Sequence, residues 1–223
     1  MFDFSFVGEN LPRYFDAVKV TLVLSLISVI IGTLLGSILY FMKSSNFGIW
    51  KFKPLKLIAV VYIEVIRGTP MILQILMVYA GSSIILGMNI SAFVSAAIAV
   101  SLNSAAYVAE IVRAGIEAVD KGQMEAARSL GMKKSMAMRL IIIPQAVKNI
   151  LPAIGNEFVA VIKESSMASV IGVAELTFSA KVVQGATYLS LEPLMIAAVF
   201  YFVLTFSLGR LIGYFERRLT KKW

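Results

Sequence analysis

From Gly68 to Ala109 not one residue is charged. That run is far longer than any element a small water-soluble core buries, and at about 1.5 Å of helix per residue it suffices for two crossings of a hydrocarbon layer about 30 Å thick. A reversal is needed within it, and Ala80-Gly81-Ser82-Ser83 through Gly87-Met88-Asn89 supplies the turn residues. Val20 to Met42 is likewise uncharged and forms a first span, and two further apolar stretches follow nearer the C-terminus. The pattern predicts an all-α integral membrane chain of five transmembrane helices in one domain over 1–223, with spans at about 14–42, 57–86, 90–113, 150–172 and 193–215 and a folded loop over 114–149. Span two is expected to begin inside LIAVVYIEVIRGTP, where Glu64 and Arg67 are three apart and set to pair on one helical face, and where Pro70 kinks or restarts the helix.

Composition narrows the chemistry. Of 223 residues 59% are hydrophobic and 15% charged, against about a quarter charged in soluble domains. Cysteine and histidine are absent, which removes disulfides, thiolate nucleophiles, imidazole catalysis and nearly every zinc site. The N-terminal MFDFSFVGENLPRYF has no basic leader and no cleavage signature, so the first span is expected to act as an uncleaved insertion signal.

The net charge of +8 is unevenly placed. Lys43, Lys51, Lys53 and Lys56 follow span one without an acid among them; Arg113, Lys121, Arg128, Lys133, Lys134, Arg139 and Lys148 crowd the loop after span three; the tail reads ERRLTKKW. Basic residues resist translocation, so these segments are assigned to the cytoplasm, with the N-terminus outside and the C-terminus inside. The charge is then topological, and no nucleic-acid partner is implied. No internal repeat is visible, so one chain is expected to supply half a pathway, completed by a second copy or a related chain.

The loop after span three reads as two short helices joined at Gly131, which provides a left-handed cap. Ala126 and Ala127 offer a close-packing face, and Pro144 is expected to stop the second helix before the membrane is re-entered. The order Glu125-Ala126-Ala127, three residues, Gly131, nine residues, Ile141, one residue, Ile143, Pro144 resembles the EAA loop of ABC importer permeases, with Ile143 where that pattern has leucine. Glu64–Gln74 (EVIRGTPMILQ), Asn103–Glu110 (NSAAYVAE) and Lys163–Gly172 (KESSMASVIG) are similar to the polar amino acid permeases of that family, and the resemblance runs from about residue 14 to 218. It implies a type I importer permease in a bacterial inner membrane. It also implies two cytoplasmic ATPase subunits that receive Glu125, Ala126, Ala127 and Gly131 as a coupling element, an external solute-binding protein, and a polar amino acid as cargo. No GxxxxGK[ST] occurs, so ATP and Mg are expected on the partner ATPase and no cofactor in this chain.

Charged groups at membrane depth are costly and mark site hypotheses. On span four Glu157 and Glu164 are seven apart and share a face, and Ser165-Ser166 mark a place for the helix to loosen. Lys163 and Glu164 offer both signs to a zwitterion, with Ser165, Ser166, Asn103, Ser104, Tyr107, Gln74 and Glu157 completing a lining; the two glutamates favour a cationic side chain such as arginine. The alternative is that these groups satisfy one another as buried structural pairs. Segment 173–192 is too polar to span and reads either as a short gating helix or as a surface loop. Arg13, Asp16 and Lys19, at the start of span one, read as marking an interfacial helix and not a site. Rival readings are an ABC permease for another small solute class, a non-transporting membrane scaffold and an intramembrane hydrolase. The scaffold needs neither the coupling loop nor mid-span charges, and the hydrolase lacks its usual residues.

Overall fold

The computed structural model describes residues 2–45 and 53–220, so Lys51 of the basic stretch and Lys221 and Lys222 of the tail lie outside the described residues. The chain is all-helical: α1 (Val7–Ser44), α2 (Pro54–Arg67), α3 (Met71–Leu86), α4 (Ala92–Glu117), α5 (Lys121–Ser129), α6 (Lys134–Ala137), a π-turn at Met138–Ile142, α7 (Ile143–Glu164) running into a 3₁₀ segment at Ser165–Ile171, α8 (Leu176–Thr187) and α9 (Glu192–Thr220). Among the described residues, four helical stretches are long and apolar enough to cross a membrane, and a fifth crossing is obtained if α2 and α3 count as one broken span.

The bundle is organised by α1 on α4. Gly32 and Gly36, four apart, present bare backbone to α4: a Cβ on Gly32 would lie 2.8 Å from Ser104, and one on Gly36 2.7 Å from the Ala105 carbonyl oxygen. Small residues at this spacing let two helices touch where lipid leaves no hydrophobic drive to bring them together. Gly32 lies against Ser104, Gly36 against Val108, and Lys43 pairs with Glu110 at 2.6 Å, so α1 and α4 run in the same direction. Then α7 returns the other way, because Ile150 abuts Gly115 and Glu157 abuts Ser104. Next, α9 starts beside the beginning of α1, where Tyr14 Oη donates to the Pro193 carbonyl at 3.0 Å and stacks on Phe200, and further along Ile212 meets Gly155. The two termini therefore lie at opposite ends of the bundle.

Some sequence expectations are corrected. Arg13, Asp16 and Lys19 do not form a separate interfacial helix: they belong to the unbroken 38-residue α1, with Lys19 paired to Asp16 at 2.7 Å on the exposed side. The reversal between α3 and α4 falls where the sequence offered it, in the Gly87-Met88-Asn89 part of the stretch: α3 runs past Ala80–Ser83 to Leu86, the chain turns at Gly87 (φ +63°), and Ser91 caps α4 by accepting from Val94 N–H. At Pro70 the helix restarts, the second of the two outcomes the sequence allowed: Pro70 is the N-cap of α3, and α2 and α3 meet at 108°. Glu64 and Arg67 do not pair; both are exposed, and the Arg67 guanidinium lies over the Tyr107 ring, 5.4 Å from its centroid. The aromatic face on α4 wins because the helix ends at Arg67 and frees the side chain to turn inward.

The elbow has a specific strut. Pro70 has no N–H, so the Ile66 carbonyl lacks its helical donor. Gln74 Nε2 supplies one at 2.8 Å and also reaches Thr69 Oγ1 at 2.9 Å, while Gln74 Oε1 accepts from Asn103 Nδ2 at 2.9 Å. Tyr62 Oη donates to the Leu102 carbonyl at 2.7 Å on the other arm. Gln74→Leu removes the donor and leaves buried Asn103 unpaired; it is expected to destabilise the chain by about 1–3 kcal/mol, read as an earlier thermal transition in detergent than for the wild type.

Candidate coupling loop and polar centre

Two places carry the sequence-predicted residues. The first is the loop at the end of the bundle that holds Ser44, Glu117 and the C-terminal end of α9. Asp120 opens α5 by accepting from Gly122 N–H, and Gly131 (φ +83°) closes it. Met132 N–H bonds back to the Ala127 carbonyl and Gly131 N–H to the Arg128 carbonyl, the paired bonds of a Schellman cap. The expected left-handed cap is therefore present. Ala126 and Ala127 do not share one packing face: Ala127 is buried at 2% exposure, whereas Glu125 and Ala126 point outward on the free side of α5. Adjacent positions on a helix diverge by about 100°, which accounts for the split. Leu130 next to them is 84% exposed, so a bare, partly apolar ridge stands clear of the bundle.

Pro144 does not stop the second helix. It sits in the first turn of α7, where a missing N–H is tolerated, and the strain is taken up by the π-turn just before it. Sequence reasoning missed Gln123 and Gln145 here, which join α5 to α7; two glutamines 22 apart in sequence give no periodic signal.

The second place is the middle of the bundle. Ser104 is fully buried and donates to Glu157 Oε1 at 3.0 Å, joining α4 to α7, and Asn103 one residue earlier holds Gln74 on α3. Tyr107 lies a turn further on under Arg67. The helix loosens at Ser165 as expected, changing from α to 3₁₀, but both serine hydroxyls are spent locally, Ser165 on the Ile162 carbonyl and Ser166 on the Lys163 carbonyl. Lys163 is exposed and Glu164 half-buried, and among the described ion pairs neither takes part. The structure thus brings Gln74 with Asn103 and Ser104 with Glu157, and leaves Lys163 and Glu164 outside both hydrogen-bonded pairs, about two turns further along the helix.

Segment 173–192 does form a helix, α8. Glu175, with no exposed surface, caps it by accepting from Thr177 N–H at 2.9 Å and Phe178 N–H at 2.7 Å, and takes the Tyr201 hydroxyl of α9 on its other side. Leu176 N–H reaches Thr21 of α1, so α8 is bound across the end of the bundle opposite the coupling loop.

Known proteins share both the sequence and this architecture. The arginine transport system permease protein ArtQ of Bacillus subtilis (strain 168) is 44% identical over 217 residues, covering 97% of each chain. A Rickettsia conorii relative named for glutamine transport is 40% identical over 219 residues, covering 97% of this chain and 98% of its own. The nopaline transport system permease protein NocM of Agrobacterium fabrum is 36% identical over 219 residues, 94% of this chain and 89% of its own. A crystal structure of an amino acid ABC transporter with histidines superposes at TM-score 0.92 with 50% identity, over 98% of this chain and 99% of that one. At 17% identity, an inward facing form of the MetNI methionine ABC transporter shares the fold at TM-score 0.72, over 99% of this chain and 100% of that one. With the family model matched over residues 32–221, this multi-pass membrane chain belongs to the binding-protein-dependent transport system inner membrane components.

Proposed function

We propose that this chain is the permease subunit of an ATP-driven importer of polar amino acids, with arginine as the first cargo to test. The carrying observation is the ridge formed by Glu125 and Ala126, held off the bundle by buried Ala127 and fixed by the Gly131 cap. Such a rigid, exposed helix suits a groove on a separate cytoplasmic ATPase. Two ATPase subunits with their ATP and Mg, a second permease copy or related chain, and an external solute-binding protein complete the assembly in a bacterial inner membrane. Five spans result when α2 and α3 count as one, and the basic loops then put the N-terminus outside and the C-terminus in the cytoplasm.

Alternating access moves the solute past the middle of the bundle. Glu157 and Glu164 suit a guanidinium or ammonium, and Lys163 suits a carboxylate. Ser104 and Asn103 hold Glu157 and Gln74 in place from behind, and Tyr107, Ser165 and Ser166 border the same region. Relatives named for arginine and for glutamine bracket the cargo class.

Reconstitution with the ATPase and binding protein in liposomes tests this. ATP-dependent arginine uptake is expected. Glu157→Gln is expected to lower arginine uptake about tenfold while changing glutamine uptake little, since one charge-assisted contact carries roughly 1.5–3 kcal/mol. Equal losses for both solutes would remove Glu157 from the solute path, and absence of any ATP-driven uptake would remove the importer reading.

A further inference from the structure

Movement of the coupling loop must enter the membrane through few contacts. α5 packs on α6 and on the π-turn Met138–Ile142. Beside it a groove of about 700 Å³, lined by Asp120, Gln123, Pro144, Gln145 and Asn149 among others, leaves the first turn of α5 without packing beneath it. The π-turn is itself a soft place. Pro144 gives no N–H to the Leu140 carbonyl, and Ile143 N–H bonds back five residues to Met138. A push on α5 would be absorbed by bending there unless something stiffens the angle.

One side-chain amide spans that joint. Gln145 Nε2 donates to the Ile141 carbonyl at 3.1 Å, inside the loosened turn, and to Gln123 Oε1 on α5 at 3.2 Å. A turn further along α7, Asn149 Nδ2 donates to the Gly115 carbonyl at 3.3 Å, fixing the base of α7 to α4. The lever thus has a fixed base, a compliant turn and a polar brace across it. We infer that Gln123 and Gln145 are positioning residues for transport: their bridge sets the angle of α5 over the π-turn, so that motion of α5 swings α7 instead of flexing the joint. This rests on the importer reading above.

The test is the number of solute molecules imported per ATP hydrolysed, in liposomes holding the complete complex with binding protein. Gln123→Leu and Gln145→Leu are each expected to co-purify with the ATPase and to hydrolyse ATP, yet to import about fivefold fewer molecules per ATP, the net worth of one hydrogen bond. The double variant is expected to lose no more than Gln145→Leu alone, because that change already removes the whole brace, to Gln123 and to the Ile141 carbonyl. The pair Gln123→Glu with Gln145→Lys, which restores a bridge as an ion pair, is expected to recover most of the ratio. Unchanged ratios in both single variants, losses that multiply in the double, or no recovery in the charged pair would each overturn the inference. If the single variants and the charged pair all fail to co-purify, the bridge serves assembly only and the inference falls. A wild-type complex without ATP-driven uptake overturns the importer reading, and this inference with it.

Discussion

Ala126→Trp and Glu125→Ala are expected to cut solute-stimulated ATP hydrolysis about tenfold, with the chain still folded in the membrane. Ala126 is exposed on α5 while its neighbour Ala127 is buried, so an indole at 126 meets nothing in this chain and everything in a docked partner. Loss of one centrally placed contact is worth about 1.4 kcal/mol or more, which is a factor of about ten. Lys19→Ala at the far end of the bundle, where Lys19 pairs only with exposed Asp16, is the matched control and should leave hydrolysis unchanged. Stimulated ATPase rates with co-purification of the ATPase subunit read the result. Wild-type stimulation in both variants would show that α5 is not the transmission element.

The second large effect concerns folding. Gly36→Val places a Cβ 2.7 Å from the Ala105 carbonyl oxygen and 2.8 Å from Val108 Cβ, atoms that belong to the backbone and a branched side chain of the buried helix α4. Neither can rotate away, so α1 must lift off α4. Overpacking of this kind costs about 1–3 kcal/mol, and a branched side chain lies at the upper end of that range or above. Lifting α1 also opens the Lys43–Glu110 pair and loosens Ser104 beneath Gly32, and with it the Ser104–Glu157 bond. A thermal transition in detergent well below wild type is expected, together with loss of uptake. Gly8→Ala, whose Cβ would meet nothing within 4 Å, should match wild type.

How much of this was readable beforehand follows the range of each interaction. Uncharged runs gave the crossings because cost in hydrocarbon depends on residue type alone. Gly131 gave its cap and Ser165 the loosened helix because both are local events, settled within a turn or two. The elbow was legible as a break at Pro70, but its 108° angle is set by Gln74, Asn103 and Tyr62, which meet only after α3 and α2 dock on α4. Tertiary contact likewise drew Arg67 to Tyr107 and away from Glu64. Pro144 misled because a proline ends a helix only when no adjacent turn can widen, and here the π-turn does. In the polar centre the residue types singled out individual positions on α3, α4 and α7, while the pairing of Ser104 with Glu157 joins positions 53 apart and has no signature in the sequence.

The elbow also says something about its surroundings. α3 has 16 residues, about 24 Å of helix, which is less than a hydrocarbon layer of about 30 Å. Counted with α2 as one broken span, its turn at Gly68–Pro70 falls at membrane depth, and Thr69 and Arg67 there are exposed. Acyl chains offer no hydrogen bonds to such backbone, and Gln74 provides them from inside the fold, to the Ile66 carbonyl at 2.8 Å and the Thr69 carbonyl at 3.1 Å. One glutamine side chain thus stands where solvent would otherwise be needed, so the helix can break and turn without opening its carbonyls to the acyl chains.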